Sequence, residues 1–164
     1  MNIFFLDWDP KKCTEFTCNI HLNKLLIEMT QMLYSVYHLI HPEFLLFSDF
    51  TSYKLTHKNH PCSKWIRENF LNFLWTLTLS WEYCKEYTHR YGKIHSCQKH
   101  ILWMVQNLPY DLSKSSMTLP AQAMPEKYKH IDAVEAYRNY YIGEKLHFVK
   151  YTKREIPFWL KQYF

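Results

Sequence analysis

Two polar residues on one helical stretch are the first candidates for chemistry. His21 precedes Glu28 by seven positions, with Lys24 and Leu25 between them, so an imidazole, an ammonium and a carboxylate fall near one helix face. An acid and an imidazole so placed can exchange protons with a bound substrate. The same spacing also suits an ordinary pair of polar residues at a helix boundary. A second cluster lies in L-T-H-K-N-H-P-C-S-K-W, residues 55–65, where Thr56, His57, Lys58 and Asn59 offer hydroxyl, imidazole, ammonium and amide groups just ahead of His60-Pro61. A helix opening there adds free backbone amides and a positive dipole end, which is the chemistry of an anion site. His57 and Cys62 together with Cys13, Cys18 or His21 form an alternative zinc set. No C-x-x-C occurs, however, and no metal ligand or cofactor is expected from these spacings.

Cations interleaved with aromatics recur further along. E-Y-T-H-R-Y-G-K-I-H, residues 86–95, carries His89, Arg90, Tyr91 and Lys93; A-Y-R-N-Y-Y-I-G-E-K, residues 136–145, carries Arg138, Tyr141 and Lys145; K-Y-T-K-R-E, residues 150–155, adds Lys153 and Arg154. Such segments stack bases and hold phosphates, and Arg67 joins them as a ligand candidate. Charge supports the reading: residues 1–60 carry five Lys and Arg against six Asp and Glu, residues 61–164 fifteen against nine. A basic second half suits a phosphate-bearing partner, and equally a solvated surface.

Composition removes several classes of protein. The only glycines are Gly92 and Gly143, so no glycine-rich dinucleotide or phosphate loop can be built. The same scarcity disfavours a sheet protein with many tight turns. Five scattered cysteines without a secretory leader read as reduced thiols of a cytosolic protein. Apolar runs stop short of the eighteen or more residues that a membrane span needs. With 164 residues, 48% of them hydrophobic, a single domain over 1–164 with a genuine core is expected.

The elements that must position these residues are mostly helical. Asn2–Leu6 is a short apolar strand or buried arm, and Asp9-Pro10 opens a helix. Leu22, Leu25, Leu26, Met29, Met32, Leu33 and Val36 recur every three or four residues, predicting a helix over about 18–38. Residues 39–60 read as a loop with one apolar anchor at Phe44–Phe47. His60-Pro61 opens a long helix with Trp65, Ile66, Phe70, Phe73, Leu74, Leu77 and Trp81 inward and a stop at Gly92. A helix over about 94–108, with Ile101, Leu102 and Val105 inward, ends at Pro109. Asp132-Ala-Val-Glu135 is a capping box for a helix to about Val149, and I-P-F-W-L docks as a terminal turn. The expected fold is a mostly α, single-domain bundle of four to five helices with a short N-terminal extended segment.

Taken together, N-I-F-F-L-D-W-D-P, C-N-I-H, T-H-K-N-H-P-C, E-Y-T-H-R-Y-G-K-I-H, Q-A-M-P-E-K-Y-K, V-E-A-Y-R-N-Y-Y-I-G-E-K and Y-T-K-R-E-I-P resemble a family of small phage and large-DNA-virus proteins. Its members are mostly uncharacterised, and some carry the label pyrimidine-dimer DNA glycosylase. The family's first-helix motif H-C-D-K-H stands here as Thr17-Cys18-Asn19-Ile20-His21, with three departures. In the characterised phage dimer glycosylase a histidine lies seven residues before the assisting glutamate, which implies catalytic roles for His21 and Glu28. The nucleophile there is the amine of an N-terminal threonine; Asn2 does not match it, and an α-amine on Met1 could in principle serve instead. The resemblance implies a viral nucleotide- or nucleic-acid-binding protein, as an enzyme form a DNA glycosylase/lyase on damaged or modified bases, in the cytoplasm of an infected host cell. The alternative is a non-catalytic binder that sequesters a host nucleotide signal or engages a host protein.

Overall fold

The computed structural model describes residues 1–47 and 51–164, and among them every regular element is helical. The α-helices are α1 (Pro10–Glu15), α2 (Asn19–Leu39), α3 (Pro61–Glu68), α4 (Phe70–Tyr91), α5 (Gln98–Gln106) and α6 (Ala133–Lys145), with short 3-10 turns at Pro42–Phe47, Glu126–Tyr128, Leu146–Phe148 and Lys161–Tyr163. The mostly α bundle expected from periodicity is therefore the fold. None of these helices is long and apolar enough to cross a membrane.

Local chemistry fixes most boundaries. Asp9 accepts from the backbone of Lys11 and Lys12 with Pro10 at the first helical position, and Asp132 accepts from Val134 and Glu135. Gly92, in the left-handed region at φ 66°, ends α4 by donating to the Thr88 carbonyl. The expected long helix from Pro61 is instead two. Asn69 is fully extended (φ −158°, ψ 167°), and its side chain caps α4 through the Asn72 amide. The apolar stripe continues across this break, which is why periodicity alone runs the two helices together. Helix α5 is shorter than expected: it buries Ile101, Met104 and His100, whereas Leu102 and Val105 face outward. Of the loop expected over 39–60, residues 48–50 lie outside the described residues.

The N-terminal segment is a buried arm rather than a strand. Asn2 to Leu6 have no helical or ladder partners, yet all five are buried. The arm runs through the middle of the bundle. Phe5 stacks on Trp75 of α4 at 4.1 Å and meets Trp65 of α3 edge-on, while Phe4 packs against His21 of α2 and against Tyr137, Tyr140 and Tyr141 of α6. One connected core contains the arm and residues from all six helices. Its cysteines are all free and buried, and burial pushes the Cys13 and Cys84 thiols up to about 12 and Cys62 to about 11. They act as small apolar side chains.

Candidate functional site

The arm's anchor is Asn2. Its Nδ2 donates to the Ala123 carbonyl, and its Oδ1 accepts from Tyr137 Oη, from the Ile3 amide and, more weakly, from Cys62 Sγ. These bonds hold the chain start against α2, so that the Asn2 amide donates to Glu28 Oε2 at 2.9 Å and the Met1 α-amine lies 3.6 Å from the same oxygen. Lys24 reaches the other oxygen at 3.9 Å, one helical turn before it. Glu28 thus faces two amines.

These groups line a cavity of about 190 Å³ together with Phe4, His21, Leu25, Tyr140 and Lys145. Lys145 lies over the Tyr140 ring at 4.8 Å, and the ring stacks parallel to Phe4. The floor is aromatic and the rim cationic. Glu28 is the only acid in this lining.

His21 is held in one state. Its Nδ1 lies 3.1 Å from Tyr141 Oη, and that hydroxyl already accepts from the Cys18 amide. Tyr141 is fully buried, and of the acceptors beside its hydroxyl the His21 Nδ1 is far stronger than the Cys18 sulfur, so the phenol proton goes to Nδ1 and the imidazole proton sits on Nε2. Burial, reinforced by the charges of Lys145 and Lys24, lowers the His21 pKa to about 4. At neutral pH the ring is uncharged, with Nε2–H as its hydrogen-bond donor.

The T-H-K-N-H-P-C stretch meets this site through His60, the residue that opens α3. His60 Nδ1 caps α3 by accepting from the Cys62 amide, and the ring also hydrogen-bonds the Met1 backbone. Burial lowers the His60 pKa, and the Met1 amine and His57 push the same way against Glu28. Thr56, His57, Lys58 and Asn59 occupy an exposed loop outside the cavity. Thr56 and His57 bond each other at 2.6 Å, and His57 adopts φ 48°. Arg67 crosses to the Lys58 carbonyl and to Ser35 Oγ, at a separate shallow hollow beside Trp65 and Leu119.

The remaining candidates divide into saturated and open groups. Arg90 has a fully buried side chain. It pairs with Glu86 at 2.6 Å and donates to the carbonyls of Thr17 and Glu15 and to Asn19 Oδ1, plugging the C-terminal end of α1. Arg154 pairs with Glu86 and Glu15. Burial raises the Glu86 pKa, but the two arginines outweigh it and hold the carboxyl below the usual range. Arg138 donates to the Leu6 carbonyl, pairs with Asp7 and lies over the Phe16, Phe158 and Trp159 rings. Arg90, expected to grip a ligand, instead braces the core, enclosed by carbonyls and the buried Glu86 carboxylate, whereas Arg138 and Arg154 stay partly exposed beside their acids and Arg154 lines a cavity of about 180 Å³ with Lys11, Lys85 and His89. The Thr17 carbonyl and the Asn19 side chain, both in the turn that opens α2, accept from Arg90 in the same brace. His89 and Lys153 bond each other's carbonyls at the surface. Tyr91 and Lys93 line a different hollow, described below.

Of the expected residues, then, His21, Glu28, Tyr141 and Lys145 converge. Met1, Asn2, Phe4, His60 and Tyr140 complete the surroundings. The spacing of His21, Lys24 and Glu28 along one helix signalled part of this locally; the rest depends on contacts between distant segments. Among the described residues no group of three or more His, Cys, Asp or Glu side chains is arranged to hold a metal ion. No protein-family model, no curated protein and no solved structure matches the chain.

Proposed function

We propose that the protein is a nucleic-acid-binding DNA glycosylase/lyase whose nucleophile is the α-amine of the chain beginning at Met1. The observation that carries this reading is the 3.6 Å approach of that amine to Glu28 in a cavity shared with neutral His21. α-Amines ionise at about pH 8, nearer neutrality than lysine, which makes them effective nucleophiles once a base accepts the proton. Glu28 is the proton acceptor. The freed amine attacks C1′ of a deoxyribose; the glycosidic bond breaks with its electron pair moving to the base, which takes up a proton as it leaves. Glu28, having passed its first proton to the base, takes one proton from the attached nitrogen; the nitrogen lone pair then forms the C1′=N bond as the C1′–O4′ bond breaks, and O4′ takes that proton, leaving a protonated Schiff base. His21 Nε2–H donates a hydrogen bond to the sugar or to the departing base, and Lys24 and Lys145 attract the flanking phosphates. A volume of about 190 Å³ is smaller than the roughly 300 Å³ from which ligand pockets usually start. It suits one flipped sugar or base rather than a whole nucleotide. The seven-residue spacing of His21 and Glu28, which resembles that of the characterised phage dimer glycosylase, supports the same chemistry.

The test is incubation of a protein carrying no extension before Met1 with irradiated or abasic-site DNA in the presence of borohydride. A covalent adduct mapping to the Met1 peptide, and its loss in Glu28→Gln, is the expected result. Absence of both adduct and strand cleavage overturns the chemistry, and reversible retention of an unaltered nucleotide under those conditions would replace it with sequestration.

A further inference from the structure

A second hollow, of about 350 Å³, is lined by Asn23, Tyr87, Tyr91 and Lys93, between α2 and the C-terminal end of α4. Tyr87 and Tyr91 are half-buried neighbours, with ring centroids 4.8 Å apart. Among the described residues neither phenol bonds a carboxylate or carbonyl, and the rings offer π-surface at the protein's edge. His95 is buried behind Tyr87, edge-on at 4.7 Å.

A relay of hydrogen bonds gives this hollow a defined polarity. The Cys97 amide donates to His95 Nδ1 at 3.1 Å, so the ring carries its proton on Nε2. His95 Nε2 lies 2.8 Å from Asn23 Oδ1 and donates to it. That fixes which way the Asn23 amide is turned: its oxygen faces the protein, and its NH₂ group is left as a donor at the exposed hollow. Lys93 follows Gly92, the left-handed residue that ends α4, and its backbone is tied down by Thr88 Oγ1 donating to the Lys93 carbonyl at 3.1 Å. A fixed amide donor, an ammonium and two phenol rings therefore share one opening.

We propose that this hollow is a nucleobase subsite. A base with a carbonyl acceptor, such as a pyrimidine, stacks on the Tyr87–Tyr91 pair and accepts from Asn23 Nδ2, while Lys93 meets the adjoining phosphate. The proposal rests on the reading that the substrate is a nucleic acid, and it extends that reading to the strand beyond the reacting nucleotide. Asn23 lines this hollow, and its chain neighbour Lys24 lines the cavity with Met1 and Glu28. The two openings therefore flank the outer edge of a single helix about 10 Å across. At about 3.4 Å per nucleotide along a strand, that separation is roughly three nucleotides. One strand crossing α2 at Lys24 reaches both.

The test is the affinity of an oligothymidylate octanucleotide and of a thymidine dinucleotide, measured by fluorescence anisotropy for the full chain and its variants. Asn23→Asp keeps the acceptor for His95 but removes the donor, so it leaves the fold in place. It is expected to weaken the octanucleotide about tenfold, and Tyr91→Ala by a similar factor, since stacking on one ring accounts for that much. Lys93→Gln should weaken binding less and lower the salt dependence by about one counterion. Dinucleotide binding should be unchanged by all three, and a melting curve for each variant separates lost contacts from lost folding. Unchanged octanucleotide affinity in Asn23→Asp and Lys93→Gln overturns the subsite, whether or not an adduct forms at Met1. Failure of the unsubstituted protein to bind either oligonucleotide overturns the subsite and the nucleic-acid reading together. Weakened octanucleotide binding without any borohydride adduct upholds the subsite and overturns only the lyase chemistry.

Discussion

The cavity at the chain start and the cluster around Arg90 draw on the same ingredients: a glutamate, nearby cations and tyrosines. They differ in how completely the polar groups are matched. Around Arg90 the guanidinium pairs with Glu86 and donates to the carbonyls of Thr17 and Glu15, and Arg154 closes the other side of the carboxylate. Around Glu28 the Asn2 amide is fixed, but His21 Nε2 has no partner among the described residues and Lys24 is two-thirds exposed. A saturated cluster stabilises a fold, whereas an unsaturated one retains the capacity to bind. Sequence composition does not distinguish the two.

The largest expected effect lies on the saturated side. Arg90→Met leaves Glu86 with Arg154 as its remaining partner and takes the donor from the carbonyls of Thr17 and Glu15, and should cost about 3–5 kcal/mol in urea denaturation. A smaller loss would show that water or Arg154 takes over those groups. On the other side, Tyr141→Phe removes the hydroxyl shared by the Cys18 amide and His21 Nδ1. It should cost about 1–3 kcal/mol and free His21 to change tautomer, visible in its ring-nitrogen chemical shifts.

Acid should separate the clusters next. The pKa of His21 is lowered to about 4 by burial and by Lys145 and Lys24, and that of His100 to about 4 by burial and Lys99. The unfolded chain takes up these protons near pH 6.5 while the folded chain does not, so both histidines give full stability above about pH 6.5 and lose it as pH falls toward 4. His21→Asn should flatten that slope by up to about 1 kcal/mol per pH unit. The lowered Glu86 pKa works at lower pH: its contribution is present above the ordinary carboxylate range and is lost as pH falls through the folded value. A denaturation midpoint flat between pH 6.5 and 4 would contradict both histidine assignments. The smallest stability effect belongs to Lys24→Gln. This exposed partner of Glu28 contributes at most about 0.5 kcal/mol to stability, yet its loss should reduce oligonucleotide affinity at low salt and leave the melting temperature unchanged.

Helix α2 and the caps at Asp9, His60 and Asp132 were readable from the residues because their signals are local: a 3.6-residue apolar period, and a side chain within three positions of the amide it accepts from. Asn69 was not, since its break interrupts no apolar stripe. His21 and Glu28 could be paired by spacing alone. That Met1, His60 and Tyr140 gather around them could not, since the arm is held by Ala123 and Tyr137, more than a hundred residues away, and such contacts leave no period. Arg90 misled for a related reason. An arginine in a Tyr- and His-rich helix end resembles a phosphate clamp until the carbonyls of α1 are seen to fill its donors.

The anchoring of Asn2 has a practical consequence for anyone producing this protein. The four hydrogen-bonding partners of its side chain leave Met1 at the wall of the cavity, with Glu28 immediately beyond. An affinity tag fused ahead of Met1 would replace the free amine with an amide and thread its linker through the cavity mouth. Phe164, by contrast, is two-thirds exposed, so the same tag at that end leaves the arm seated and the amine available.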